Sequence, residues 1–123
     1  MSKIEKFEDL FVWQEAKKLV SMIYQLCQKD ILKKEFGLTE QIKRSSVSVM
    51  ANITEGFGRY SFKESKQFYN NARGSLAETQ SHLYVIKEIS KLNEPDFELV
   101  YIQSVKVNKL INGLITNIIK RTR

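Results

Sequence analysis

The chain has 123 residues, 42% of them hydrophobic and 28% charged, with a formal net charge of +6. That balance suits one folded domain over residues 1–123 with a sizeable core, and it excludes a disordered chain. With one Pro and five Gly the turns of a many-stranded β protein are missing, and one Cys with one His excludes a disulfide framework or a zinc site within the chain.

The first apolar periodicity runs from about Glu8 to Lys29. Val12, Ala16, Leu19, Ile23 and Leu26 recur at helical spacing, and Trp13, Val20 and Cys27 widen the face. Asp30 to Gly37 reads as a connection. A second helix is predicted from Leu38, with Thr39 as N-cap and Ile42, Ser45, Val49 and Ile53 on its buried face. Gly56-Phe57-Gly58 is expected to end it, because glycine disfavours helix. Ser61, with Glu64 three residues on, forms a capping box for a third helix. Its buried stripe is Phe68, Ala72, Ser75 or Leu76, Thr79, Leu83 and Ile86, and it extends to about Lys91. Asn93-Glu94-Pro95 breaks the pattern, and a fourth helix runs from Pro95 to about Lys120. Helices joined by short connections predict an all-α, antiparallel up-and-down four-helix bundle.

The fourth helix is unusually apolar. Val107, Leu110, Ile111, Leu114, Ile115, Ile118 and Ile119 cover an arc of roughly 180° at helical spacing. One core needs a stripe only a little over ~100° wide. The surplus predicts a homo-oligomer; the alternative is a central helix covered by its own bundle.

On helix two, Gln41, Arg44, Ser48, Asn52, Glu55 and Arg59 fall within an arc of roughly 80°. Helix three answers with Arg73, Gly74, Ser75 and Glu78. Gly74 predicts close approach of another backbone, and Arg44 or Arg73 is expected to pair with Glu55 or Glu78. The stripe reads either as a buried or inter-subunit network that sets register, or as a ligand or phosphate site.

Charge is distributed unevenly. Residues 1–40 carry seven of each sign, whereas residues 41–74 carry six basic against two acidic and residues 103–123 carry five basic and no acid. Such clustering suits a polyanion, although solvated charge is the plain alternative. The candidate nucleic-acid contacts are Arg59, Lys63, Lys66, Lys106, Lys109, Lys120, Arg121 and Arg123, and Tyr60 and Phe62 lie among them as aromatics able to stack on bases or to join the core. Catalytic material is poor. A di-iron bundle needs two Glu-x-x-His motifs, and His82 is the single histidine. Gly56-Phe57-Gly58-Arg59 lacks the preceding strand and the Lys-Ser/Thr of a phosphate loop. No catalytic residue, cofactor or metal is expected. No signal-like segment and no run of ~18 apolar residues is present, so the expectation is a cytoplasmic protein without a membrane partner.

These residues carry a family likeness. Leu10, Trp13, Ala16 and Leu19, then Phe36-Gly37-Leu38-Thr39, Gln41-Ile42 and Arg44, open it. Ser48, Ala51-Asn52-Ile53, Glu55-Gly56-Phe57-Gly58-Arg59, Phe68 and Ala72-Arg73-Gly74-Ser75-Leu76-Ala77-Glu78 complete it. Over nearly its whole length the chain resembles the four-helix bundle proteins encoded in intervening sequences of bacterial 23S rRNA genes, and it is similar to the accessory variability determinant protein of diversity-generating retroelements. Two departures are visible: Met50 stands where the family often has proline, and the first connection lacks a proline. The resemblance implies an antiparallel four-helix bundle assembled as a homopentameric ring, with no known enzymatic activity. The likeness to the retroelement proteins implies binding to nucleic acid and to a reverse transcriptase.

The expected function is therefore a non-enzymatic, oligomeric bundle that binds structured RNA or an RNA–protein complex. A protein-interaction scaffold is the alternative. An enzyme built on Arg44, Glu55, Arg73 and Glu78 is the third reading, and it lacks a nucleophile and a base.

Overall fold

Apolar side chains recurring every third or fourth residue give each helix a face that gains by leaving water, and four such faces close on one another. The structure, a computed structural model, describes residues 4–90 and 94–121, the side chains of residues 90, 94 and 118–121 excepted. It contains helices α1 (Phe11–Cys27), α2 (Phe36–Phe57), α3 (Phe62–Ser90) and α4 (Glu94–Arg121). No strand occurs among the described residues. Helix α1 packs on α2, α2 on α3, α3 on α4, and α4 returns against α1. Leu19, Ile23, Ile42, Ile53, Leu76, Leu83 and Ile111 lie fully buried at the centre.

The boundaries differ from expectation in instructive places. The first helix does not run unbroken from Glu8. A 3-10 turn, Phe7–Asp9, is followed by Leu10 in an extended conformation, and α1 begins after it. Phe7 packs edge-on against Trp13 at 5.2 Å, which folds this entry segment back onto α1. Helix α2 starts at Phe36, before the expected cap. Thr39 caps nothing: its hydroxyl donates back to the carbonyls of Glu35 and Phe36 at 3.0 and 3.3 Å, inside the helix. Ser61 does cap α3, its Oγ accepting the Glu64 N–H at 3.2 Å. Pro95 sits in the first turn of α4, where its missing N–H costs nothing. The expected end of the third helix at Lys91 lies outside the described residues.

The apolar arc of α4 is largely consumed within the chain. Val107, Ile111 and Ile115 are buried, and Leu110 and Leu114 pack half-buried against the core. The side chains of Ile118 and Ile119 lie outside the described residues. Among the described residues, the large apolar side chains that α4 leaves in water are Leu99 and Ile102, 62% and 61% exposed.

A charged clamp ties α1 to α4. Lys106 Nζ lies 2.7 Å from Glu15 Oε1, and Gln103 Nε2 donates to the Glu15 carbonyl at 2.9 Å. The hydrogen bond from Lys106 holds the Glu15 carboxyl below its ordinary value, against the opposing push of desolvation. A carboxylate depressed in the folded state stabilises fully above its unfolded pKa, and the contribution fades as pH falls through the folded pKa. The stability gap between the native chain and Glu15→Gln, measured by urea unfolding, should therefore be widest near neutral pH and close below about pH 4. A gap unchanged by acid would mean that the ion pair contributes nothing.

Candidate nucleic-acid interface

The stripe on α2 divides into an inner seam and an outer fringe. Ser48 and Ser75 share a hydrogen bond at 2.9 Å, and Asn52 Nδ2 donates to the Ser48 carbonyl and hydroxyl at 2.9 and 3.1 Å. One helical turn away, the buried hydroxyls of Ser45 and Thr79 meet at 2.8 Å. Small hydroxyls let α2 and α3 approach closely while satisfying each other, so the seam sets their register. Thr79 and Ser45 looked like plain interior positions in the sequence; their polarity facing one another was the available signal. Gln80 Nε2, donating to Ser104 Oγ at 3.0 Å, is a second cross-helix tie that sequence reasoning did not find.

The charged members stay outside, and their expected pairing is corrected. Arg44 faces Glu40 at 3.7 Å, Arg59 holds Glu55 at 2.6 Å, and Glu78 approaches His82 Nε2 at 3.6 Å. Arg73 reaches neither glutamate; it donates to Asn112 Oδ1 at 2.9 Å and Asn70 Oδ1 at 3.1 Å. Residues four apart on one helix are already neighbours, so local partners win over distant ones. Gln41 is exposed and takes no part in the seam. Gly74 is corrected too: it faces outward on α3, and a Cβ added there would meet nothing within 4 Å. The close approach occurs at Gly56 instead, whose added Cβ would sit 2.5 Å from Cε1 of the buried Tyr69.

The basic residues are gathered by topology. Alternating helix directions put the α2–α3 turn and the C-terminal end of α4 at the same end of the bundle. The contacts Arg73–Asn112 and Gln80–Ser104 set the α3–α4 register, which carries the first turn of α3 level with the last turn of α4. Arg59, Lys63 and Lys66 stand at this pole. Lys63 is exposed, Lys66 half-exposed, and neither has a carboxylate partner among the described residues. Lys66 and Arg73 share the flank of α3 turned toward α4. The side chains of Lys120 and Arg121, and Arg123 altogether, lie outside the described residues, although the α4 backbone through Arg121 ends here. Lys106 and Lys109 do not belong to the pole. They lie back along α4, Lys106 roughly 20 Å from its last turn at the helical rise and engaged by Glu15. At the opposite end, Lys29 is paired with Asp96 at 2.9 Å and Lys33 with Asp30 at 3.0 Å.

Arg59 is held in place twice, by Glu55 and by the ring of Phe68, 4.5 Å from its guanidinium. Cys27 is buried, and desolvation pushes its thiol above the ordinary value, so it is a poor nucleophile at neutral pH. No group of metal-ligating side chains forms among the described residues, and no described helix is long and apolar enough to cross a membrane.

Comparison with known proteins agrees with this architecture. A family model described as 23S rRNA-intervening sequence protein matches residues 8–113. Among solved structures, a protein with unknown function from the S23 ribosomal protein family of Bacteroides thetaiotaomicron VPI-5482 is 26% identical. It superposes with a TM-score of 0.78, the match covering 85% of this chain and 97% of that one. No curated protein matches the chain.

Proposed function

Since the chain belongs to the 23S rRNA-intervening sequence protein family, we propose that it is a non-enzymatic, cytoplasmic RNA-binding bundle that holds structured RNA, or an RNA–protein complex, by its basic pole. The observation that carries the reading is that the basic turn around residues 59–66 shares one end of the bundle with the last turn of the α4 backbone, where the sequence carries Lys120 and Arg121. Lys63 and Lys66 at that end have no carboxylate partner among the described residues and suit phosphates, whereas Lys29, Lys33 and Lys106 elsewhere are engaged by carboxylates. Assembly as a homopentameric ring would repeat the pole on each copy and raise affinity through multivalency. Among the described residues of the site none is a tuned acid, base or nucleophile, which favours a binding role.

The test is retention of a structured RNA in a gel-shift series across salt. Binding at low salt that weakens linearly on a log–log plot, by roughly 0.7–0.9 per phosphate neutralised, is expected. No retention at low salt overturns the proposal. A second reading, a protein-binding scaffold, is favoured by the exposed Leu99, which lines a groove with Met22, Leu26 and Val100, and by the exposed Ile102 on the same helix.

A further inference from the structure

Among the aromatic side chains, Tyr60 is the one given entirely to water, its exposure reaching 105% of the reference value. It lies in the short turn Gly58–Ser61 between α2 and α3 and has no ring contact, cation–π contact or hydrogen bond among the described residues. Other exposed aromatics have work within the fold. Phe11 lies under Lys106 at 5.3 Å, Tyr24 under Lys43 at 5.0 Å, and Tyr84 packs on Phe97 and Tyr101. Phe36, 78% exposed, sits at the opposite end of the bundle, between Glu35 and Gly37. Tyr60 joins a fully exposed ring to the cations of the proposed RNA-binding pole, whereas Phe36 stands beside Lys33 and Lys34 at the other end.

The turn that carries it is anchored on both sides. Arg59 is fixed to Glu55 and Phe68, and Ser61 caps α3. The ring thus projects from a stiff base, with Lys63 exposed three residues on. A fixed aromatic face beside a cation is what an unpaired nucleotide needs: the base stacks, and the adjoining phosphate finds a positive charge. Within a duplex the interior bases offer no free face, because they already stack on each other, and only the end pairs expose one.

We infer that Tyr60 is a stacking platform for an unpaired base, so that the basic pole takes loops and single-stranded stretches of RNA in preference to perfect duplex. The inference rests on the RNA-binding reading above and narrows it to one class of RNA. It is tested by fluorescence anisotropy at low salt, using a labelled hairpin with an open loop and a labelled blunt duplex of the same stem. The proteins are the full chain, Tyr60→Phe and Tyr60→Ala, each checked for helical content. Because the ring touches nothing, both variants are expected to fold. The full chain should bind the hairpin more tightly than the duplex. Tyr60→Ala should lose about tenfold or more on the hairpin and nothing on the duplex, and Tyr60→Phe should retain binding to both. Equal binding of hairpin and duplex, indifferent to Tyr60→Ala, overturns the stacking role and leaves the RNA-binding reading standing. If neither RNA is bound, both fall together.

Discussion

Gly56→Ala is expected to destabilise the fold by about 1–3 kcal/mol, although alanine ordinarily favours a helix over glycine by ~1 kcal/mol. The added methyl would lie 2.5 and 2.7 Å from Cε1 and Cδ1 of Tyr69. Tyr69 cannot swing away, since its side chain is only 5% exposed and packed into the core. The strain must then be taken up by moving α2 away from α3, which loosens the hydroxyl seam nearby. Urea unfolding of Gly56→Ala, of Tyr69→Leu and of the double variant would measure this. The smaller side chain at position 69 should recover part of the loss, so the double variant should be more stable than the sum of the singles predicts. A more stable Gly56→Ala would show that the ring yields freely and that helix propensity decides the outcome. Gly74→Ala offers no such conflict, as its Cβ would meet open space.

The second large effect concerns binding. Lys63→Gln combined with Lys66→Gln is expected to weaken retention of structured RNA about tenfold or more at low salt, and to reduce the salt slope by about 2. Both side chains lack a carboxylate partner among the described residues, so they meet a phosphate without first breaking an ion pair. Lys33→Gln with Lys34→Gln, at the far end of the bundle, removes the same formal charge and should change affinity little. If the two pairs weaken binding alike, only net charge matters and the pole is not the site. Lys106→Gln is a poor probe of binding, because it releases Glu15 and disturbs the α1–α4 clamp.

The helices and their buried faces were legible because a period of three to four residues is a property of the chain itself. Val12, Ala16, Leu19, Ile23 and Leu26 were read as one face and are one face, all buried. Caps were less secure. Ser61 behaves as its local pattern demands, whereas Thr39 is overtaken by a helix that begins earlier and absorbs its hydroxyl. The polar stripe was legible as a direction on a wheel, which identifies a face and not a partner. Ser48, Asn52 and Ser75 found one another, while Arg44, Glu55 and Glu78 each took a neighbour four residues away. The candidate binding residues were legible as clusters along the chain, but which clusters meet was not.

The amino-acid order alone determined four amphipathic rods, their approximate limits and an excess of positive charge, since each follows from local spacing and composition. Tertiary structure decided which cations pair and which stay free, where a glycine backbone lies against a buried ring, and that stretches some sixty residues apart share one end. Those outcomes depend on helix direction and register. Both are fixed by how buried faces interlock across the core, a long-range matter that no window of neighbouring residues contains.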